Sequence, residues 1–188
     1  MQMKFNFVVA GLSCLAAASF TTLVHAGGGG DKPYGDVPRA EARFVDSEGR
    51  EVGQAALHQG PNGLLIDLSI DGLSEGAKAI HIHTKGTCAD PGDGFVASGG
   101  HINPEGRSHG LMNPEGPDAG DLPNFFVGSD GRARAQFFTG RASLDGSTGA
   151  KLDDEDGAAM VIHENRDDHF SQPIGGAGSR VACGVIEH

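Results

Sequence analysis

Two histidines separated by a single residue, His81 and His83, constrain the fold of this chain more than any other feature. Side chains at positions i and i+2 project from the same face of a β-strand, whereas a helix would separate them. We therefore expect a strand that offers both imidazoles to one ion while Ile80 and Ile82 face the other way. Imidazole is the commonest metal ligand in proteins and suits copper and zinc.

Further residues of ligand type follow among glycines and prolines, where a role in a hydrophobic core is not expected. They are His101, His109, Asp121 and the distant His163. Each histidine taken alone has an ordinary explanation, either on the surface or as a hydrogen-bonded group in the core. Together, the imidazoles and the carboxylate predict a metal site.

The first residues have the layout of a secretory signal peptide. Lys4 precedes an apolar run, and Val24-His25-Ala26 precedes a glycine tract, as at a small-residue cleavage site. We expect residues 1–26 to be removed on export, 27–38 to form a flexible leader and 39–188 to fold as one domain.

Two other interpretations of this segment are a lipoprotein signal at Cys14 and an uncleaved membrane anchor. Gly11 stands where a lipoprotein signal has Leu, and the apolar run continues past Cys14. The run is also short for a bilayer span.

Composition favours an all-β domain, because the chain has 31 glycines, no tryptophan and few apolar periods of helical length. Turn residues at 47–49, 60–63 and 129–131 favour hairpins. Two segments are too long for turns, Lys85 to Pro123 and Glu164 to Arg180, and long ordered loops are usually functional. The predicted strands are Ala40–Phe44, Gly53–His58, Leu64–Ile70, Ala77–Thr84, Asn124–Val127, Ala133–Phe138, Ala158–His163 and Val181–Ile186.

The net charge limits the classes of binding partner, and the cysteine content indicates the cellular compartment. A formal net charge of −11 argues against nucleic acid and anionic membranes as partners, beyond the membrane crossed on export. Removal of the signal leaves two cysteines, Cys88 and Cys183, and an even pair in an exported chain indicates a disulfide that closes a long loop. In a cytosolic chain, free or metal-ligating thiols would be expected instead.

Six motifs, taken together and in order, resemble the copper, zinc superoxide dismutases, and the exported bacterial branch most closely. They are His-Ile-His at 81–83, Gly-Gly-His-Ile-Asn-Pro at 99–104, Ser-His-Gly at 108–110, Ala-Gly-Asp-Leu-Pro-Asn at 119–124, Val-Ile-His-Glu at 161–164 and Gly-Ser-Arg-Val-Ala-Cys-Gly at 178–184. The resemblance covers nearly the whole mature chain. It implies an eight-stranded Greek-key β-barrel, flattened like a sandwich, with two long loops that hold the metals and the active site.

The resemblance also implies a role for individual residues. One copper per chain would be bound by His81, His83, His101 and His163, and one zinc by His101, His109 and Asp121, with His101 bridging the two metals. Asp167 would link a copper histidine to a zinc histidine, Arg180 would attract the substrate anion, and Cys88 and Cys183 would form the disulfide. Three histidines match no ligand and are expected at the surface, with His169 as a loop contact: His58, His169 and His188.

Asp118 departs from the family pattern, because it stands three residues before Asp121, where the family has its third zinc histidine. A carboxylate is a legitimate zinc ligand, although its side chain is shorter than that of histidine. We therefore expect a zinc site of two histidines and two aspartates, with zinc occupancy as the open question.

The implied function is conversion of superoxide to dioxygen and hydrogen peroxide by redox cycling of copper. Because the chain is acidic, attraction of the anion needs a local positive region, for which the candidates are Arg180, Lys85, Arg107 and Arg166. The alternatives are a copper-binding or copper-delivery module with the same fold and a purely structural β-domain. Periplasmic location is expected, with secreted and lipid-tethered forms as alternatives, and monomer and homodimer stay equally open.

Overall fold

The computed structural model describes Met1, Gln2 and residues 34–188. The predicted signal peptide and most of the predicted leader lie outside the described residues. Within them, eleven β-strands and two 3₁₀-turns, Pro91–Asp93 and Val96–Ser98, account for the regular structure, and no helix has the length and apolar character needed to cross a bilayer. The strands are β1 (Arg39–Asp46), β2 (Glu51–Gly60), β3 (Gly63–Asp71), β4 (Gly76–Lys78), β5 (Ile80–His83), β6 (Phe125–Val127), β7 (Arg132–Thr139), β8 (Ala142–Ser143), β9 (Ala150–Lys151), β10 (Ala159–His163) and β11 (Arg180–Glu187).

Seven strands form one antiparallel sheet in the order β5-β10-β11-β1-β2-β3-β7. The first and last strands of the domain, β1 and β11, are neighbours, and β10 separates β11 from β5. Strands β4 and β6 form a second antiparallel pair, and β8 and β9 a short parallel one. The prediction of an all-β domain is confirmed, and each predicted strand overlaps at least one observed strand.

The core forms because side chains alternate between the two faces of the long strands. In β1 and β3 every second residue is buried, and Phe44, Leu57 and Ile66 have no exposed surface. Removal of such side chains from water is the main force that drives folding. Strand β10 is buried at all five positions, so it is covered on both faces and ends at His163 inside the protein.

The predicted strand Ala77–Thr84 is wrong as a single element. Lys78 ends β4, which pairs with β6, whereas Ile80 begins β5, which pairs with β10. The chain changes sheets at Ala79, and a hydrophobic pattern does not reveal this because burial continues without a break from Lys78 through Ala79 into β5. Strands β8 and β9 were also not predicted, since each has only two residues in a segment rich in turn residues.

A disulfide joins Cys88, in the loop after β5, to Cys183, in the middle of β11. Their Cα atoms are 5.7 Å apart and the two residues are 95 positions apart in sequence. Cys183 is fully buried beside Phe95, Ala159 and Val161. The bond therefore fixes the long loop to the central part of the large sheet, as the sequence predicted.

We expect reduction of this disulfide to lower the free energy of unfolding by about 4–5 kcal/mol in the chain-entropy model, because the closed loop is long. Urea unfolding of metal-free protein, with and without a phosphine reductant, measures the difference. A double variant, Cys88→Ser with Cys183→Ser, should not respond to the reductant. Two thiols that react with a label in the native oxidised protein would contradict the pairing.

Candidate metal centre

Strands β5 and β10 place three histidines at one end of the large sheet. His81 and His83 lie opposite Val161 and Ala159 in the β5–β10 ladder, and His163 ends β10. All three side chains are buried, while Ile80 and Ile82 lie in the main core, as the alternation predicted. The two strands thus bring residues 80 positions apart in sequence to one edge.

The long loop after β5 returns along that edge and brings further candidates to it. The loop is held by backbone bonds from Ile82 N to Gly120 O (2.9 Å) and from Ile102 N to Ile82 O (2.9 Å). Isolated bridges pair His83 with His101 and His81 with Asp121. A Cβ on Gly120 would lie 2.3 Å from the carbonyl oxygen of Ile82, so only glycine permits this approach.

Four imidazoles each have one ring nitrogen bonded to protein and the other nitrogen buried without a partner. His83 Nδ1 donates to Gly99 O (2.9 Å), His163 Nδ1 to Gly178 O (3.2 Å) and His81 Nε2 to Asp167 (3.0 Å). In His101, Nδ1 lies 2.9 Å from Asp118 Oδ2. In this cluster the buried nitrogens without a hydrogen-bond partner are His81 Nδ1, His83 Nε2, His101 Nε2 and His163 Nε2; His169 Nδ1 is another, but His169 belongs to none of the ligand groups.

These nitrogens fit a copper ion, because unpaired buried polar atoms are costly and imidazole nitrogen suits copper. The ligand atoms of His83, His101 and His163 lie within 4.8 Å of one another, and those of His81, His101 and His109 form a second such group. The ring centroid of His81 lies 4.1 Å from that of His101 and 5.0 Å from that of His163. His101 belongs to both groups.

On its other side, His101 belongs to a set of two imidazoles and two carboxylates that fits zinc. Ligand atoms of His101, His109, Asp118 and Asp121 all lie within 4.8 Å of one another. Asp121 Oδ1 is 2.5 Å from His109 Nδ1 and 3.5 Å from His101 Nδ1. Asp118 is buried, and its Oδ1 accepts a bond from Gly120 N (2.9 Å), so the loop brings the shorter side chain to the site.

Asp167 bonds to one histidine from β5 and one from the long loop. Its carboxylate is fully buried and accepts bonds from His81 Nε2 (3.0 Å) and His109 Nε2 (3.1 Å). Asn124 fixes the backbone of Asp167 through two hydrogen bonds of 2.8 Å. A Cβ on Gly175 would lie 1.6 Å from Asp167 Oδ1, so glycine is required there.

The buried histidines form two groups, one with lowered pKa values and one with raised pKa values. Burial lowers the pKa of His81 to about 3 and of His163 to about 4, and lowers that of His83 well below its ordinary value. Burial opposes protonation of His101 and His109 too, but hydrogen bonds to carboxylates outweigh it, raising the pKa of His101 and taking that of His109 to about 10. Without metal, His109 is therefore an imidazolium between Asp121 and Asp167.

A cleft of about 340 Å³ opens onto the site and is lined by His83, His101 and Arg180, among others. Arg180, at the start of β11, donates to Phe95 O (2.6 Å) and Gly99 O (2.8 Å). Of the other basic candidates, Arg107 lines the cleft, whereas Lys85 and Arg166 are absent from its lining.

The remaining histidines lie outside the ligand groups. His188 is exposed, and His169 makes the expected loop contact, 3.1 Å from Asn124 Nδ2. His58 was predicted at the surface, but only 14% of its side chain is exposed, because Tyr34 packs against its ring. Sequence reasoning also missed Gln172, whose side-chain amide holds both the backbone nitrogen and oxygen of His109.

We expect the free energy of unfolding of metal-free protein to be highest near pH 6.5, about the pKa of histidine in an unfolded chain. Histidines with lowered pKa values, such as His81 and His163, contribute stability above that pH that is lost on acidification. His109 contributes stability below it that is lost as the pH rises through about 10.

Urea unfolding of chelator-treated protein across this pH range measures the profile. His109→Gln should flatten the alkaline decline, whereas the exposed His188→Gln should leave it in place. A steady rise in stability between about pH 6.5 and 9 would contradict the assignment.

Comparison with known proteins agrees with this geometry. Residues 51–186 match the family model described as copper/zinc superoxide dismutase (SODC). The chain is 44% identical over 150 residues to a Cu-Zn superoxide dismutase of Caulobacter vibrioides, which covers 79% of this chain and 85% of that one. It is 39% identical over 184 residues to Cu-Zn superoxide dismutase 2 of Aquifex aeolicus, which covers 97% and 98% of the two chains.

The crystal structure of a SOD-like protein from Bacillus subtilis superposes with a TM-score of 0.72 at 37% identity, over 77% of this chain and 96% of that one. The predicted fold class is thereby confirmed. With a family model that spans most of the domain and relatives at 39% identity or more, this chain belongs to the copper/zinc superoxide dismutase family.

Proposed function

We propose that this chain catalyses superoxide dismutation at the metal centre described above, with the four buried nitrogens that lack partners as the copper site. Membership of the family makes the protein an oxidoreductase that converts superoxide to dioxygen and hydrogen peroxide, with copper and zinc as its metals. The observation that supports the residue assignment most strongly is the orientation of these nitrogens. The copper ligands are His81, His83, His101 and His163, and the zinc ligands are His101, His109, Asp118 and Asp121.

Copper, when bound, supplies one-electron redox chemistry, and zinc supplies a fixed positive charge. His101 can hold a proton at Nε2, because Asp118 and Asp121 on its Nδ1 side raise its pKa. We assign it the role of proton donor to the departing peroxide. Asp167 keeps His81 and His109 in the orientation that the two metals need, as carboxylate partners of metal-binding histidines do.

Arg180 is the residue to which we assign attraction and positioning of superoxide. It lines the cleft beside His83 and His101, and its guanidinium is a fixed cation with several donors. The chain is acidic overall, so a local positive field is needed to bring an anion to the site. Arg107 is the second basic residue of the same cleft.

We also propose that the chain is exported. The support is the signal-like layout of residues 1–26, and the Cys88–Cys183 disulfide, which persists in oxidising compartments. On this proposal residues 27–38 are a leader, 39–188 are the functional domain, and the periplasm is the location. Superoxide is the substrate, and neither nucleic acid nor a membrane surface is a partner.

A copper carrier with the dismutase fold is the alternative. A carrier does not need a guanidinium that lines the cleft. In this chain two backbone carbonyls hold Arg180 in that position. All the nitrogens needed for a redox-active copper site are also present. These features favour the enzyme.

Arg180→Ala should reduce the dismutation rate by about tenfold or more at low ionic strength, since a positioned cation raises association rates by that order. Copper content should be unchanged. Arg132→Ala removes the same charge from the exposed surface of β7 and should keep the rate. Pulse radiolysis measures both variants. Native-like rates for both would show that Arg180 does not attract the anion, whereas the absence of a copper-dependent rate in the native chain would favour the carrier.

Asp118→Ala should weaken zinc binding by more than about a hundredfold, because loss of even an outer partner of a ligand commonly costs 10–100-fold. Metal analysis after loading with both ions should give about one copper and one zinc for the native chain, and copper alone for the variant. Asp71→Ala, an exposed carboxylate on β3, is the matched control. Full zinc retention by Asp118→Ala would show that Asp118 is not a ligand.

A further inference from the structure

Ser98 is a fully buried polar residue at the edge of the metal centre. It ends the 3₁₀-turn Val96–Ser98 and immediately precedes the glycine pair before His101. Every group of three or more metal-ligating side chains in the part of the chain that the structure describes belongs to the centre already discussed. Ser98 is not a member of these groups, yet its hydroxyl contacts residues of the site.

The hydroxyl of Ser98 makes three contacts that together use its full hydrogen-bonding capacity. It donates to the carbonyl oxygen of Phe95 at 2.8 Å. It also lies 3.2 Å from Arg180 Nη1 and 3.2 Å from His83 Nδ1. A serine hydroxyl has one proton to donate and two lone pairs that accept. Because the Phe95 carbonyl can only accept, the hydroxyl proton goes to it, and Ser98 accepts from both Arg180 and His83.

These contacts make Ser98 a direct link between the active-site arginine and one imidazole of the copper site. Nδ1 of His83 donates to Gly99 O as well, so the orientation of that ring does not depend on Ser98 alone. The guanidinium of Arg180 has three acceptors, of which only the Ser98 hydroxyl belongs to a side chain. Nη1 donates to Phe95 O and to this hydroxyl, while Nη2 donates to Gly99 O. The hydroxyl therefore fixes the guanidinium relative to His83 rather than to the loop backbone alone.

The position of the guanidinium matters because only part of it is available to an anion. A guanidinium has five N–H donors, and the contacts with Phe95, Ser98 and Gly99 occupy three of them. The other donors have no hydrogen-bond acceptor among the described residues and belong to a side chain that lines the cleft. A small tilt of the guanidinium would move these donors away from the open side of the copper site.

We propose that Ser98 is a positioning residue that acts through Arg180 and holds its free donors at the distance from His83 that a small anion bound at the copper site requires. The inference rests on the proposed roles of Arg180 and His83. It assigns to Ser98 no contact with the substrate. An alanine at this position would keep both backbone acceptors but remove the third contact, which limits rotation of the guanidinium about those two bonds.

Azide is a suitable probe, because it is a small anion whose binding to copper-loaded protein is measured by visible absorption without turnover. Ser98→Ala should raise the azide dissociation constant about three- to tenfold, the net effect of losing one typical hydrogen bond, because the lost bond acts on the anion only through Arg180. Copper content should stay at the native level. Ser98→Thr, which keeps a hydroxyl, should bind azide within about twofold of the native chain.

Ser143→Ala is the matched control, since Ser143 is a fully buried serine whose hydroxyl accepts one bond, from Thr148 N, away from the metal centre. It removes an equally buried hydroxyl and should leave azide binding unchanged. A purely structural role for Ser98 would give the two variants the same azide affinity, which would overturn the proposal.

A double-mutant cycle shows whether Ser98 acts through the arginine. In an Arg180→Ala background, Ser98→Ala should have no further effect on azide affinity, whereas an undiminished effect would overturn the proposal. Failure of the proposed function is a separate result: native copper-loaded protein would then show no dismutation. The azide measurements do not depend on that rate.

Discussion

Asp167 is a carboxylate without exposed surface that accepts hydrogen bonds from His81 on the sheet and from His109 on the long loop. A buried charge is tolerated only when its partners are in place, so this residue requires the strand, the loop and its own segment to meet in one arrangement. Its hydrogen bonds hold its pKa far below the ordinary value, despite burial. They also select the ring nitrogen that His81 leaves free, Nδ1. One satisfied carboxylate thus orients a histidine of each ligand group.

Long loops rather than strands supply half of the site, and their position depends on contacts of residues that are not ligands. The Cys88–Cys183 disulfide anchors the first loop to β11, and Asn124 holds the backbone of Asp167 in the second. Glycines at 120 and 175 allow backbone approaches that any side chain would prevent. These restraints involve no metal, so they reduce the number of loop conformations that remain to be ordered when metal binds.

Much of the site could be predicted because its residues obey local rules: His81 and His83 must share a face of a strand, and both do. The break between β4 and β5 at Ala79 could not be predicted, since a change of sheet leaves the hydrophobic pattern unaltered. Ser98 was missed for a similar reason. Its role depends on Arg180, 82 positions away in sequence, and a lone serine in a glycine-rich loop carries no signal for such a contact. Local patterns specify side-chain direction within an element, whereas loop paths are set by tertiary contacts.

The aspartate at position 118 alters the charge balance at the site as well as its ligand chemistry. An imidazole there would be neutral as a ligand, whereas Asp118 adds a negative charge 2.9 Å from Nδ1 of His101. That charge, with Asp121, outweighs the effect of burial and raises the pKa of His101. A divalent ion bound there would be neutralised by Asp118 and Asp121, whereas the histidines of the copper half would add no charge of their own. Asp118 therefore lowers the positive charge beside the cleft that it lines, so attraction of an anion to a chain of net charge −11 depends on the basic side chains of that cleft, Arg180 and Arg107.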